Sequence, residues 1–161
     1  MRIVVADTGP IHYLVLIGQS EILPALFENV IIPSAVRDEL VHAQAPEAVR
    51  KWMQAPPLWL EMHPDPDATC HVGLESLDEG EKAALVLATS LGADLLLLDD
   101  RKGVRIARNR GLRVIGTLGV LHLAGRRDLL DLADSFERLK RTNFRYRQAI
   151  MDRLLNEQQG E

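Results

Sequence analysis

The sequence predicts one α/β domain, a three-layer sandwich around a central parallel sheet of four to five strands. Its short apolar segments, such as residues 3–6 and 30–32, lack polar alternation and are therefore typical of strands buried on both faces. Segments of helical character separate them, and strands that alternate with helices favour a parallel sheet covered on both sides. A chain of 161 residues is long enough for one such core and short for two.

The first half of the chain predicts two strands and several short helices. The helix after the second strand is expected to begin near Pro33 and to be capped by Ser34, because proline suits a first helical turn and serine is a preferred cap. Gly18 is a plausible stop for the first helix. The predicted order is strand 3–6, helix 11–17, helix 22–27, strand 30–32, helix 33–42 and a helical turn or two at 46–53.

The second half begins with a proline-rich stretch, residues 54–76, in which only a short edge strand around residues 58–60 is expected. Two helix–strand units follow, and each helix ends before a glycine, Gly92 or Gly111, which tolerates the left-handed conformation. The predicted elements are helix 78–91, strand 95–99, helix 102–110, strand 112–115, and helices 117–123, 129–140 and 147–158. We expect the main domain to span residues 1–145 and a C-terminal helical extension to span 146–161.

Composition narrows the class of protein. Hydrophobic residues make up 47% and charged residues 26%, a balance typical of globular domains and unlike that of disordered chains. The one cysteine, Cys70, excludes an intramolecular disulfide and a multi-cysteine zinc site, and it fits a reducing, cytoplasmic location. Every apolar run falls far short of the ~20 residues of a membrane helix, and the acid at position 7 argues against an export signal.

Charge is unevenly distributed along the chain. Residues 1–100 hold 5 basic and 16 acidic side chains, whereas residues 101–161 hold 14 basic and 7 acidic ones. An acidic half joined to a basic half suits a protein that binds cations with one surface and a polyanion with another. Solvated helix faces of mixed charge explain the same numbers, so both interpretations stay open here.

Several carboxylates are expected to meet at one edge of the sheet. Asp7 follows the first strand, Asp99 and Asp100 follow a later one, and two helical acids, Glu39 and Glu81, lie near helix starts. In parallel sheets these positions lie at the carboxyl ends of the strands, where ligands bind. Clustered carboxylates raise each other's pKa, and a hard cation such as Mg²⁺ or Mn²⁺ relieves their repulsion. The sequence therefore predicts a Mg²⁺ or Mn²⁺ site at this edge.

Each acid also has a purely structural interpretation. Glu81 lies three residues after Asp78, which is the spacing of a capping box. Asp99 or Asp100 suits the start of the following helix. A turn explains Asp7, and a solvent-facing helix surface explains Glu39. The prediction of a metal site therefore rests on the joint placement of the acids rather than on any one of them.

Five motifs resemble those of the PIN-domain nucleases, in particular a prokaryotic branch related to VapC-type toxins. The resemblance covers most of residues 1–145. Gly9 stands where this branch has serine, and Glu81 stands where VapC-type toxins more usually have aspartate. The motifs are V-V-A-D-T-G-P at 4–10, I-I-P-S-A-V-R-D-E-L at 31–40, L-D-E-G-E-K-A-A-L-V-L-A at 77–88, L-L-L-D-D-R-K-G at 96–103 and G-L-R-V-I-G-T-L-G-V-L at 111–121.

The resemblance implies a metal-dependent endoribonuclease that hydrolyses RNA phosphodiester bonds with Mg²⁺ or Mn²⁺, and a toxin-like role with an antitoxin protein as partner. It implies that Asp99 substitutes for or assists the main metal ligands. It also implies that Thr8 helps to position Asp7 or a metal water and belongs to the substrate-binding residues. The implied catalytic metal ligands are Asp7, Glu39, Glu81 and Asp100. Basic side chains nearby are predicted to hold the RNA backbone by charge, namely Arg101, Lys102 and Arg105.

Two other functions compete with the nuclease. A receiver-like Mg²⁺-binding domain also clusters acids at strand ends, but it requires a lysine after a late strand, where this chain has Gly116 and Thr117. A catalytically silent interaction module is the second alternative, with a homodimer or antitoxin interface on apolar helices. Core packing explains the same apolar residues equally well. They are Val120, Leu121, Leu123, Leu129, Leu130 and Leu132.

Overall fold

A computed structural model describes residues 2–69 and 71–160. Cys70 lies outside the described residues, and so do the predictions that concern it. A five-stranded parallel sheet forms the centre, and helices flank it, which confirms the predicted three-layer α/β fold. The strands are β1 (Val4–Ala6), β2 (Val30–Pro33), β3 (Leu60–His63), β4 (Leu95–Leu97) and β5 (Val114–Ile115).

The helices follow the predicted order closely. Gly18, Gly92 and Gly111 all adopt positive φ angles of 60–84° where helical segments end, as expected of helix-terminating glycines. The helices are α1 (Thr8–Leu16), α2 (Ile22–Phe27), α3 (Ser34–Leu40), α4 (Glu47–Gln54), α5 (Glu79–Leu91), α6 (Arg101–Asn109), α7 (Thr117–Arg126), α8 (Leu132–Lys140) and α9 (Gln148–Gln159).

Strand order places a crevice beside the central strand. The order is β3-β2-β1-β4-β5, so the chain moves outward from β1 in one direction and then returns to its other side. Val5 pairs with Ile31 of β2, and Ala6 pairs with Leu97 of β4. Ligands of such sheets bind where the order reverses, outside the carboxyl ends of the strands. In this fold that point lies after β1 and β4.

The core is continuous across the sheet and the helices that cover it. Val5 and Leu96 of the sheet and Leu85 of α5 are fully buried. Burial of apolar surface at about 25 cal/mol per Å² is the main force that fixes these elements. Of the apolar residues considered for an interface, Val120, Leu121 and Leu132 belong to this core and Leu129 is exposed, so the homodimer and the antitoxin interface stay predictions.

Several details differ from the sequence predictions: β4 ends at Leu97, β5 begins at Val114 and α8 begins at Leu132, each inside its predicted range. Helix α1 begins at Thr8 rather than at residue 11, because Asp7 is extended and Pro10 is accommodated within the first turn. Strand β3 is shifted toward the C-terminus, beginning at Leu60, and it pairs with β2 at the edge of the sheet. Ser34 is not the cap of α3, because its hydroxyl donates to the His63 carbonyl. The side chain of Asp65 accepts from the first turn of this helix instead.

The C-terminal helix packs against the rest of the domain. Helix α9 contacts α7 and α8, and its Met151 is fully buried. The division into residues 1–145 and a separate extension, 146–161, stays a prediction. Across the described chain, none of the helices combines the length and the apolar character needed to cross a lipid bilayer.

Candidate active site

A cavity of about 950 Å³ lies at the carboxyl ends of β1 and β4. The structure brings all of the predicted acids to its walls, although they come from four separate parts of the chain. Parallel strands and helices that start at the same edge of the sheet cause this convergence. The acids are Asp7, Glu39, Glu81, Asp99 and Asp100, and Asp78 lies beside them.

Asp7 is the most enclosed of these acids. It directly follows β1, its amide donates to the Leu97 carbonyl of β4 at 2.9 Å, and only 7% of the residue is exposed. Its Oδ1 is buried and finds no hydrogen-bond partner among the described residues. Burial, with a further contribution from the nearby carboxylate of Glu39, raises the pKa of Asp7 to about 8, although the Thr8 amide opposes the shift.

The two carboxylate oxygens of Glu81 have different surroundings, one in a helix cap and one in the cavity. Asp78 Oδ1 accepts from the Glu81 amide at 2.8 Å, and Glu81 Oε1 accepts from the Asp78 amide at 3.4 Å, which forms the predicted capping box. The other oxygen, Oε2, is buried and meets no hydrogen-bond donor in the described part of the chain. Burial and the neighbouring Asp78 raise the pKa of Glu81 to about 8.

Glu39 reaches the cavity from α3, against the first turn of α5. Gly80 makes this approach possible, since a Cβ at that position would overlap Glu39 Oε1 and would lie 3.4 Å from Asp7 Oδ1. Burial raises the pKa of Glu39, and the nearby carboxylate of Asp78 adds to the rise. The sequence prediction missed Gly80; a glycine between two acids, in the first turn of a strong helix, was the available signal.

Asp99 and Asp100 lie side by side but make different contacts. Asp99 accepts hydrogen bonds from the Thr117 amide and hydroxyl, both at 2.7 Å, and burial raises its pKa. Asp100 is exposed and caps α6 by accepting from the Gly103 amide at 2.8 Å. Asp99 contributes to the raised pKa of Asp7, whereas Asp100 contributes to that of Glu81. Which of the two ligates a metal stays a prediction.

The position of Gly9 also matters for Asp99. A Cβ at residue 9 would lie 3.1 Å from Asp99 Oδ2, and a Cβ on Gly116 would lie 2.6 Å from Asp99 Oδ1. Both distances are shorter than ordinary carbon–oxygen contacts, so the two glycines leave room for this carboxylate. Glycine at position 9 therefore removes a side chain from the cavity wall and admits Asp99 closely.

Comparison with known protein families identifies the fold. The family model DUF3368, described as a PIN domain, matches residues 3–160. This chain belongs to the PIN-domain family. PIN domains are generally nucleases, and they typically bind divalent metal ions. A search of curated proteins finds no match that adds a named relative. Kinship with the VapC-type toxins stays a prediction.

The acid cavity of this PIN domain suits a hard divalent cation. Its donors are carboxylate oxygens, which Mg²⁺ and Mn²⁺ prefer. Asp7 Oδ1 and Glu81 Oε2 are both buried and unpartnered within residues 2–69 and 71–160, a state that costs about 1–3 kcal/mol for each group. In those same residues no three His, Cys, Asp or Glu side chains already stand as a complete metal site. The residues therefore fit a cation by chemistry, although they do not form a closed ligand shell.

The predicted RNA-binding residues are distributed around the cavity of the PIN domain. Thr8 and Arg101 line it. Lys102 and Arg105 are exposed further along α6, away from the lining, and their contact with RNA stays a prediction. His12 of α1 is half-buried and also lines the cavity, and burial lowers its pKa.

One wall of the cavity was not predicted. It comes from the α8–α9 loop (residues 141–147), and residues 143–147 of this loop line the cavity. Their spacing in the sequence does not link them to Asp7. The alternation Arg145-Tyr146-Arg147 was the signal that could have drawn attention to it, because cationic and aromatic side chains together are typical of nucleic-acid contacts.

Proposed function

We propose that this PIN domain is a metal-dependent endoribonuclease that hydrolyses RNA phosphodiester bonds. The observation that supports the proposal best is the pair of buried, unpartnered oxygens, Asp7 Oδ1 and Glu81 Oε2, in one cavity at the carboxyl ends of β1 and β4. Both acids have a pKa of about 8, so they bind a proton where ordinary carboxylates are charged. A divalent cation can replace that proton and stabilise the ionised cluster.

Several carboxylates together would bind Mg²⁺ or Mn²⁺. Asp7 and Glu81 would supply the buried oxygens, and Glu39 would add a third carboxylate from α3. Asp99 and Asp100 would complete the set at the end of β4. The bound cation supplies Lewis-acid chemistry: it lowers the pKa of water and offsets charge on a leaving oxygen.

The hydrolysis that we propose uses water as the nucleophile. A bond forms between the water oxygen and phosphorus, the bond between phosphorus and the 3′ oxygen breaks, and that oxygen takes up a proton. The products are a 5′-phosphate and a 3′-hydroxyl. Arg101, exposed at the start of α6 on the cavity wall, would neutralise backbone phosphate beside the acids, and Thr8, which lines the same cavity, would help to position Asp7 or a metal water.

A cleavage assay on the purified protein tests the proposal. We expect Mn²⁺ or Mg²⁺ to support cleavage of RNA and a chelator to stop it. Asp7→Asn and Glu81→Gln should each lower the rate by at least about a hundredfold, because each removes a charged ligand from the site. Asp94→Asn is a matched control: Asp94 accepts from the Ile3 amide just before β1 and β4 begin, at the ends of these strands opposite to the cavity, and its variant should cleave normally.

Two results would contradict the nuclease. One is the absence of cleavage with either metal, which would favour the catalytically silent interaction module. The other is equal cleavage by wild type and Asp7→Asn, which would indicate a contaminating enzyme. Products that carry a 3′-phosphate would exclude the hydrolysis described above even if RNA is cleaved.

The biological role that we propose is that of the toxin-like component of a toxin–antitoxin system, with an antitoxin protein as partner. The support is the sequence resemblance together with the PIN-domain fold. Induced expression in a bacterial host tests it. Wild type should arrest growth and Asp7→Asn should not, whereas equal growth of both strains would argue against toxicity.

A further inference from the structure

Thr117 forms two hydrogen bonds with one acid of the cavity. Its amide donates to Asp99 Oδ1 and its hydroxyl donates to Asp99 Oδ2, both at 2.7 Å. Thr117 is the first residue of α7 and is fully buried, and it is not among the residues that line the cavity. The Asp99 carboxylate therefore has a donor on each oxygen, and both donors belong to a single residue behind the cavity wall.

These two bonds fix the rotation of the Asp99 carboxylate. The last torsion of an aspartate side chain is soft and has no sharply preferred angle. Rotation about it in this protein would break the bonds to Thr117. A carboxylate offers about four lone-pair positions, so the two bonds leave a free position on each oxygen. Asp99 lines the cavity, and it thus keeps acceptor capacity for a cation while its orientation is held.

Two glycines leave space for this carboxylate. A Cβ on Gly9 would lie 3.1 Å from Asp99 Oδ2, and a Cβ on Gly116 would lie 2.6 Å from Asp99 Oδ1. Gly9 is helical and Gly116 has a φ angle of −97°, conformations that any residue adopts. The backbone therefore does not require glycine at either position, and the closeness of Asp99 explains why a side chain is absent.

The neighbouring acid, Asp100, is held differently. It is exposed, and its Oδ2 accepts from the Gly103 amide as the cap of α6. Asp99 lies close to Asp7 instead: burial is the main cause of the raised pKa of Asp7, and the charge of Asp99 adds to it. Of the two acids after β4, Asp99 is thus the one that the fold orients beside the most enclosed acid of the cavity.

From these contacts we propose that Thr117 is a positioning residue of the cation site, which holds the Asp99 carboxylate in the orientation that binds Mg²⁺ or Mn²⁺. The inference rests on the proposed function and adds a residue that touches neither the cation nor the RNA. A purely structural interpretation competes with it. The Asp99 carboxylate accepts from the first turn of α7, and a carboxylate at that place also stabilises a helix start.

Mn²⁺ affinity tests the inference without a cleavage reaction. The purified protein is titrated with Mn²⁺, and electron paramagnetic resonance measures the free ion. Thr117→Val keeps the shape of the side chain but loses the hydroxyl, and it should weaken Mn²⁺ binding by about ten- to a hundredfold, the usual effect of losing a residue that orients a metal ligand. Thr117→Ala should show the same loss. Thr117→Ser keeps a hydroxyl and should bind Mn²⁺ nearly as the wild type does.

Three further variants separate positioning from stability, with the melting temperature measured for each. Thr89→Val is the matched control, because the Thr89 hydroxyl donates to the Leu85 carbonyl within α5, and it should bind Mn²⁺ normally. Gly116→Ala places a methyl group against Asp99 and should weaken Mn²⁺ binding although Thr117 is intact. In the Asp99→Asn background, Thr117→Val should weaken binding no further, because its effect passes through Asp99.

The outcomes separate this inference from the proposed function. If Thr117→Val and Thr117→Ala melt at a lower temperature but bind Mn²⁺ as the wild type does, Thr117 only supports the fold, and the nuclease stands. Equal losses in Thr117→Ser and Thr117→Val, or a further loss in the Asp99→Asn background, would also overturn the positioning role alone. A wild type that shows no saturable Mn²⁺ binding would overturn the proposed function together with this inference.

Discussion

Two carboxylates of the site, Glu81 and Asp100, combine a structural role with an open oxygen or a charged neighbour. Glu81 completes the capping box of α5 with Oε1 and leaves Oε2 buried and unpartnered among the described residues. Asp100 caps α6 while it contributes to the raised pKa of Glu81. The structural and functional interpretations of the sequence were therefore not exclusive, because one carboxylate has two oxygens.

The raised pKa of Asp7 predicts that stability depends on pH in the metal-free protein. In the unfolded chain this acid ionises near its ordinary pKa of 3.8, and in the folded chain near 8. The contribution of protonated Asp7 to the free energy of unfolding is therefore complete below the ordinary pKa of 3.8. It is lost as pH rises through the folded-state pKa of about 8. We expect the free energy of unfolding to fall over this range, by at most about 6 kcal/mol from this group.

Denaturant unfolding in a chelator measures this effect. Asp7→Asn carries no titrating group at the position, so the difference in unfolding free energy between wild type and variant should widen from about pH 4 to about pH 8 in favour of the variant and then level off. Asp94→Asn serves as the control and should follow the wild type in slope. Parallel pH profiles of wild type and Asp7→Asn would show that Asp7 ionises normally in the fold.

The absence of a side chain at Gly80 should be necessary for the position of Glu39. In an exposed helix, replacement of glycine by alanine stabilises by about 1 kcal/mol. Here Gly80→Ala should instead displace Glu39, because the new methyl group overlaps Glu39 Oε1. We expect a reduced rise in melting temperature with Mn²⁺ and slower RNA cleavage. Glu79→Ala, an exposed change in the same turn, should leave the cleavage rate nearly unchanged.

At the scale of elements, local signals predicted the helices well. Helix α5 was expected at residues 78–91 and spans Glu79–Leu91, because a capping box starts it and Gly92 ends it. Both signals lie within a few residues of the element that they define. The convergence of Asp7, Glu39 and Asp99 could also be predicted, since parallel strands bring their carboxyl ends to one edge.

Contacts between distant elements could not be read from spacing. Strand β3 is placed by pairing with β2 rather than by its own composition. The α8–α9 loop reaches the cavity through the hydrogen bond between Tyr13 and Asn143, which are 130 residues apart. Nothing local in the sequence specifies either contact, and for that reason this wall of the cavity was missed.

The cap of α3 is another such contact, and it can be tested. Asp65 Oδ1 accepts from the Ala35 amide at 2.8 Å, so a loop side chain caps the helix that carries Glu39. Asp65→Ala should lower stability by about 1 kcal/mol, the usual cost of a lost N-cap. Asp67→Ala is the control, because its carboxylate bonds only locally to the Thr69 amide. Equal melting temperatures of the two variants would contradict this role of Asp65.

In the folded molecule, the acidic and the basic half of the sequence contribute side chains to the same cavity. The acidic half supplies all of the carboxylates of the cavity, and the basic half supplies Arg101, Arg145 and Arg147 on its walls. The two halves therefore meet at one site. A cation held by the first and a polyanion held by the second is the arrangement that a nuclease requires.

Cation binding should stabilise the whole fold. At a Mn²⁺ concentration about a hundredfold above the dissociation constant, the gain is about 2.7 kcal/mol, which for a domain of this size raises the melting temperature by about 5–10 °C. Thermal unfolding with and without Mn²⁺ measures this gain. Asp7→Asn should lose most of it, and Asp94→Asn should keep it. A similar rise in all three proteins would place the cation elsewhere.

A crystal structure of the protein grown with Mn²⁺, with anomalous scattering used to locate the metal, tests directly whether the acid cavity binds a cation. We expect an anomalous peak in the cavity at the carboxyl ends of β1 and β4, with oxygens of Asp7 and Glu81 among the ligands of the metal. At saturating Mn²⁺, a cavity without a peak, or a peak that leaves both carboxylates uncoordinated, would contradict this expectation.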